Sequence, residues 1–285
     1  MMTLAPRRPT HHDDQEDRAV PPRADCVADF AGGLTFDLAG QGVTDAAHLL
    51  LLLRDSDRKV RLPLTPAGDG RLRAALPSST DVPEGRWDVY LQVADDEPHR
   101  LFPGLNDLRS LVDRAPAATT GRVAVRIPYG TKHGNLSIRS WERSPHAEAG
   151  ALHVGDDGLE VTVRAYGAEP APEAYAEVTD RAGAAPPVRA SLAPDDRGGL
   201  RFTVAYGELR PGTWDLWLRP RGESGPRVRV ARLLDDIVEK APVLVYPGKR
   251  VETGHGPVEA VPSYTADNDL SVTVVAVSRT DRMSR

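Results

Sequence analysis

Apolar and polar residues alternate one for one along much of the chain, most clearly in Glu84-Gly85-Arg86-Trp87-Asp88-Val89-Tyr90-Leu91-Gln92. After a turn at Gly85, Trp87, Val89 and Leu91 point one way while Asp88, Tyr90 and Gln92 point the other, the period-two signature of a strand with one buried face. The pattern returns as Pro211-Gly212-Thr213-Trp214-Asp215-Leu216-Trp217-Leu218-Arg219, so the chain is expected to be built twice. In each copy the first inward position holds an indole, Trp87 or Trp214, able to anchor a core. Other strands are expected at 32–38, 60–64, 72–76, 122–127 and 135–141, with turns at 66–70 and 128–134. The apolar run Leu49 to Leu53 suits a strand buried on both faces or a short helix, and the strand is preferred because the next segments keep the same alternation. Leu105, Leu108, Leu111 and Val112 stand at helical spacing, and Asn106 or Asp107 can cap one or two helical turns there.

The later part of the chain keeps the same order. Residues 156–163 answer the opening strand, 173–180 the apolar run, and 188–192 with 200–204 the middle strands across a turn from Pro194 to Gly199. Ser263 to Val272 answers Pro128 to Ile138, and the end of 233–242, which is expected to hold a helical turn, answers Val112 to Pro116. The fold expected is all-β: two tandem immunoglobulin-like β-sandwiches related by an internal repeat, with a short helical turn in each. The first spans 23–145 and the second 146–279, with a short linker between Arg143 and Gly150 restricting their mutual orientation. Residues 1–22 and 280–285 read as disordered tails, the first having too little apolar content to offset the entropy of ordering.

Composition changes this picture only by exclusion. Hydrophobic residues make up 40% of the 285 positions, enough for real cores, but aromatics are only 5%, so the four Trp carry an unusual share of the packing. Gly and Pro, 25 each, favour short strands joined by turns over long helices. A net charge of −5, with no basic stripe interleaved with aromatics, speaks against nucleic acid as a partner. A single cysteine, Cys26, excludes an internal disulfide framework and a cysteine zinc site, and reads as a buried small hydrophobe in a reducing compartment. The longest apolar run, Ala46 to Leu53, is too short to span a bilayer, and the amino terminus lacks a basic-then-apolar signal pattern, so the expected location is cytoplasmic.

No nucleophile elbow, Ser-x-x-Lys context, glycine-rich phosphate loop or metal-spaced His pair occurs, so no catalytic residue, metal or cofactor is assigned. His11-His12-Asp13-Asp14 are consecutive ligands on a tail, and His255 is a loop residue with no partner motif. Asp267-Asn268-Asp269 has the Asp-x-Asp form that can hold a divalent ion, but its counterpart Lys132-His133-Gly134-Asn135 has no carboxylate, which favours a polar turn. Loops at the ends of sandwiches commonly carry recognition. The binding candidates are therefore Tyr129, Lys132, His133 and Asn135 in one loop and Tyr264, Asp267 and Asp269 in its counterpart. Trp217 joins them as an aromatic whose inward or outward placement stays open.

The Trp-Asp strand, the Arg-rich strand and Pro128-Tyr129-Gly130-Thr131-Lys132-His133-Gly134-Asn135-Leu136-Ser137 resemble modules found carboxy-terminal to actinobacterial glycosyltransferases and glycerophosphotransferases of the teichoic-acid type. The resemblance implies an immunoglobulin-like accessory module, here without a catalytic domain. Its implied partners are a glycan or cell-wall polymer, or a glycosyltransferase, with self-association left open. One alternative is a transferase acting on an activated sugar or polyol phosphate, with Asp267 and Asp269 holding a metal; another is a structural or assembly protein.

Overall fold

The computed structural model describes residues 21–39, 46–112, 114, 121–254 and 256–277. The tails expected at 1–22 and 280–285 lie outside the described residues apart from Pro21 and Pro22, as do the His11 to Asp14 run and His255. The chain is all-β, its only helical pieces being single 3-10 turns such as Arg109–Leu111 and Tyr206–Glu208 among the described residues. No helix among them is long and apolar enough to cross a membrane.

The amino-terminal half contributes β1 (Arg23–Ala28), β2 (Leu34–Ala39), β3 (Ala47–Leu53), β4 (Lys59–Pro63), β5 (Thr65–Pro66), β6 (Arg71–Leu76), β7 (Gly85–Val93), β8 (His99–Arg100), β9 (Phe102–Asp107), β10 (Val123–Gly130) and β11 (Leu136–Arg143). They form one sheet in the order β5-β6-β2-β1-β9 and another in the order β10-β11-β7-β3-β4, with β8 added to β7. Cys26, Phe36 and Ala74 from the first sheet meet Leu49, Trp87 and Ile138 from the second in one buried cluster, the core of a sandwich.

The carboxy-terminal half contributes β12 (His146–Val154), β13 (Gly158–Tyr166), β14 (Tyr175–Asp180), β15 (Val188–Ser191), β16 (Ala193–Pro194), β17 (Leu200–Ala205), β18 (Gly212–Arg219), β19 (Val228–Ala231), β20 (Lys249–Thr253), β21 (Gly256–Tyr264) and β22 (Leu270–Ala276). Several pairings recur in the two halves. β1 runs antiparallel to β2 and parallel to β9, as β12 runs antiparallel to β13 and parallel to β19. β7 lies between β3 and β11, as β18 lies between β14 and β22. In the second half β19 also pairs with β18, which joins the two layers into one continuous sheet. The two anchor indoles have matching surroundings: both are buried, and each Nε1–H donates to the carbonyl four residues upstream, Trp87 to Pro83 at 3.1 Å and Trp214 to Arg210 at 2.9 Å.

Three local expectations are corrected. The helical turn expected over 105–112 is present only as the single 3-10 turn Arg109–Leu111, while Leu105 to Asp107 belong to a strand (102–107), because the edge of β1 offers them backbone partners, as in Val27 opposite Asp107. Leu105 is consequently 80% exposed. Residues 233–242 form no helix either: the Asp235 carboxylate accepts the Ile237 N–H at 3.0 Å and pairs with the buried Lys240 at 2.6 Å, and these local bonds replace helical ones. The linker expected from 143 to 150 reduces to Ser144 and Pro145, since β12 starts at His146 and buries Ala147 and Ala149.

The contact between the halves decides where a site can lie. Ile138 pairs with Trp87 and shares its inward face, so Trp141 and Arg139, of opposite parity, face outward from the first sandwich together with their partners Val125 and Ile127. Val125, Ile127 and Trp141 are nevertheless buried, in one cluster with Ala231 and Leu233 of the second half. The second half thus covers one end of the outer face of β10 and β11 and leaves the other end open.

Candidate functional site

The open end of that face is a cleft of about 830 Å³. Its floor is set by register: Tyr129, Ser137 and Asp88 stand side by side across β10, β11 and β7, on the face opposite Trp87. Asp88 is the hub. Its Oδ1 accepts hydrogen bonds from Arg54 Nε at 3.0 Å, Arg54 Nη2 at 2.7 Å and Ser137 Oγ at 2.7 Å, and lies 3.0 Å from Arg100 Nη1. Burial pushes the Asp88 carboxyl up, but the hydrogen bonds from Arg54, Ser137 and Arg100 outweigh it and hold the group below the usual carboxylate range. The Arg100 guanidinium stacks over Tyr90, 4.9 Å from the ring centroid, which fixes the plane of its fork.

One wall is the turn between β10 and β11. Thr131 N–H donates to the Asn135 carbonyl at 2.8 Å, Gly134 N–H to the Thr131 carbonyl at 2.8 Å, and Asn135 N–H to Thr131 Oγ1 at 3.2 Å. Gly134 sits at φ +80°, which a glycine adopts without strain. This fixed turn presents Lys132 and His133, both exposed and without a partner among the described residues, over the cleft. The opposite wall is Val238 and Glu239 of the second half, with Glu239 3.5 Å from Arg86. Arg54, Arg86, Arg100 and Lys132 thus face only two carboxylates, Asp88 and Glu239, a local cationic excess on an acidic protein.

Of the residues singled out in the sequence, Tyr129, Lys132, His133 and Asn135 all line this cleft. Tyr264 does not belong to any such site. It pairs with Leu270 as Gly130 pairs with Leu136, so the register equivalent of Tyr129 is Ser263, and Tyr264 points into the core. A one-residue offset reverses the face. Burial accordingly pushes its hydroxyl up. Asp267 and Asp269 sit in a turn with the same bonds as 131–135, in which Thr265 Oγ1 accepts from both of their N–H groups. Their carboxylates meet guanidiniums of the first half, Asp267 with Arg139 and Asp269 with Arg143, each at 2.6 Å. The two acids therefore join the halves. Among the described residues no group of three His, Cys, Asp or Glu could hold a metal ion. Trp217 is half-buried and lines a separate hollow beside Asp269.

Sequence reasoning missed Arg54, Arg86, Asp88, Tyr90 and Arg100. The outward parity of Arg86, Asp88 and Tyr90 on the Trp87 strand was available as a signal; that of Arg54 and Arg100, at strand ends, was not.

No protein-family model matches the chain, and no curated protein matches it. Among solved structures, residues 217–571 of TarS from S. aureus are 14% identical with a TM-score of 0.38, the match covering 69% of this chain and 46% of that one. A second TarS structure is 15% identical with a TM-score of 0.39, covering 57% of this chain and 29% of that one. A pullulanase from Anoxybacillus sp. LM18-11 complexed with maltotriose is 10% identical with a TM-score of 0.26, covering 76% and 26%. The chain spans less than half the length of each of the three, and scores this low assign it neither a family nor an activity.

Proposed function

We propose that this chain is a binding protein, not a catalyst, made of two duplicated sandwiches (23–145 and 146–279), and that its outer-sheet cleft receives a glycan chain carrying acidic groups, such as a cell-wall polymer. The observation that carries this reading is the cleft wall: Lys132 and His133 project from a rigid turn with no partner among the described residues, beside Tyr129, Asn135 and the Tyr90-stacked Arg100. Planar guanidiniums suit carboxylate or phosphate, and tyrosine and amide groups suit sugar hydroxyls. The ion pairs of Asp267 with Arg139 and of Asp269 with Arg143 speak against the alternative, a metal-dependent transferase with these acids as ligands.

Calorimetry against acidic and neutral polysaccharides tests the proposal. Acidic chains should bind, and the double variant Arg86→Ala, Lys132→Ala should weaken them at least 10-fold. Equal affinity for a neutral chain, or full affinity in the double variant, refutes it.

A further inference from the structure

The cleft has a counterpart in the second half. Asp215 follows buried Trp214 as Asp88 follows Trp87, and Trp217 faces Arg229 across the ladder as Tyr90 faces Arg100. Arg181 follows β14 as Arg54 follows β3, and each donates its backbone N–H to the carbonyl just before the buried Trp, Arg181 to Thr213 at 2.8 Å and Arg54 to Arg86 at 2.9 Å. Burial pushes the Asp215 carboxyl up, and hydrogen bonds from Arg181 at 2.6 Å and Arg229 at 2.7 Å hold it below its usual range, as at Asp88.

What surrounds this shared frame differs. The β10–β11 turn's Lys132 is replaced by Ala266, and Arg86 by Thr213. Cations reach the place by another route: Arg227 and Arg229 lie over the Trp217 ring at 4.1 and 4.7 Å, and Arg143 arrives from the first half. These three guanidiniums face a hollow of about 510 Å³ whose one carboxylate is Asp269. Guanidiniums seated over an indole are restrained in place, and their forked N–H donors suit carboxylate or phosphate. Of the three, Arg227 is the least engaged: its one ion-pair partner among the described residues is Glu177 at 3.6 Å, whereas Arg229 pairs with Asp215 at 2.7 Å and has its Nε 3.5 Å from Asp269, and Arg143 pairs with Asp269 at 2.6 Å and Glu84 at 3.1 Å.

We infer that this hollow is a second site for an acidic group, carboxylate or phosphate, on the same chain whose first acidic group enters the cleft, so that one repeating ligand engages both halves. The inference rests on the reading of the cleft given above. Asn135, at the cleft, immediately precedes β11, and Arg143, at the hollow, ends it. At about 3.3 Å per residue the strand is roughly 23 Å long, and because the second half covers Arg139 and Trp141 between the two sites, a bridging ligand has to pass round that contact. A shorter ligand fills either site alone, and a longer one makes its second attachment intramolecularly.

The Trp217 indole N–H, which donates to Thr179 Oγ1 at 3.0 Å, gives a resonance, identified by its loss in Trp217→Phe, that reports on the ring lining the hollow, with inorganic phosphate and galacturonate as probes. Calorimetry with polyphosphate and polygalacturonate reads both sites together. The resonance should move with a small anion in wild type and in Arg86→Ala, Lys132→Ala. Arg227→Ala, a change at an exposed side chain, should abolish the movement and weaken the long chain by roughly 100-fold. Response to one polymer only identifies the acid group. If the cleft variant weakens the long chain while Arg227→Ala does not and the indole stays still, the second site is overturned and the cleft stands. If Arg227→Ala alone matters, the cleft reading fails and the bridging ligand with it. If neither variant matters, both are overturned.

Discussion

Replacing Asp88 by Asn removes one charge and keeps the shape, which isolates what the carboxylate does. In wild type its Oδ1 is held by Arg54 at 2.7 and 3.0 Å, by Ser137 at 2.7 Å and by Arg100 at 3.0 Å. Hydrogen bonds to charged groups contribute about 1.5–3 kcal/mol each when well buried. Arg54 is over a third exposed, so solvent screens most of its share. Arg100 is less exposed and stacked on Tyr90, so it would be left partly buried without its counter-charge. Together these give a loss of about 2 kcal/mol for Asp88→Asn, or roughly 4–8 °C in melting temperature. The folded carboxyl lies below its usual 3.8, so its contribution is full above that value and fades as the pH falls through the folded pKa. Urea unfolding of both proteins should therefore show a constant gap from about pH 5 to 7 and a narrowing one below 3.8. Equal midpoints at pH 7, or a gap that widens on acidification, would refute the account of Asp88 as the hub.

Two further outcomes follow from the packing. Trp141→Ala empties a fully buried position between the halves and should cost about 3–5 kcal/mol, read by urea unfolding; an unchanged transition would mean that the second half does not depend on that face. Burial pushes the Cys26 thiol up to about 12, so iodoacetamide at pH 8 should label it only in urea, and labelling of the native protein would contradict its place in the core.

Strand existence was legible wherever one face meets water, because alternation then survives in the sequence. The Trp87 and Trp214 strands belong to this class, whereas the run at Leu49 to Leu53 was legible from its unbroken apolar sequence, and Leu49, Leu50 and Leu51 are all buried. Several strands were not legible, among them β1, β12, β20 and β21. β1 has few large apolar residues, and β12 carries Ala147 and Ala149 where a strong signal would need branched or aromatic side chains. Residues 102–107 show the opposite failure, a local spacing overruled by an edge strand far away in sequence. At the site, four of the eight chosen residues line one cleft because they share one turn and its flanking strand. Tyr264 failed for a reason confined to pairing: the matched Pro-Tyr-Gly-Thr and Ser-Tyr-Thr-Ala segments look aligned at tyrosine, but the ladder aligns Tyr264 with Gly130.

The same pairing explains why only one half has the larger cleft. Both halves carry an Asp between two arginines on an outward sheet face, yet the faces end differently. In the first half the face carries Val125, Ile127 and Trp141 at one end, and burying these apolar groups against the second half favours docking there. Asp267 with Arg139, Asp269 with Arg143 and Glu239 with Arg86 set the limit of that contact. The buried Asn268 ties the acidic turn to residues 238–240, accepting the Lys240 N–H at 3.1 Å and donating to the Val238 carbonyl at 3.2 Å. Val238 and Glu239 are thereby held as the far wall of the cleft. The residues that join the halves are then the ones that shape the site, which places any change in their docking directly at the ligand.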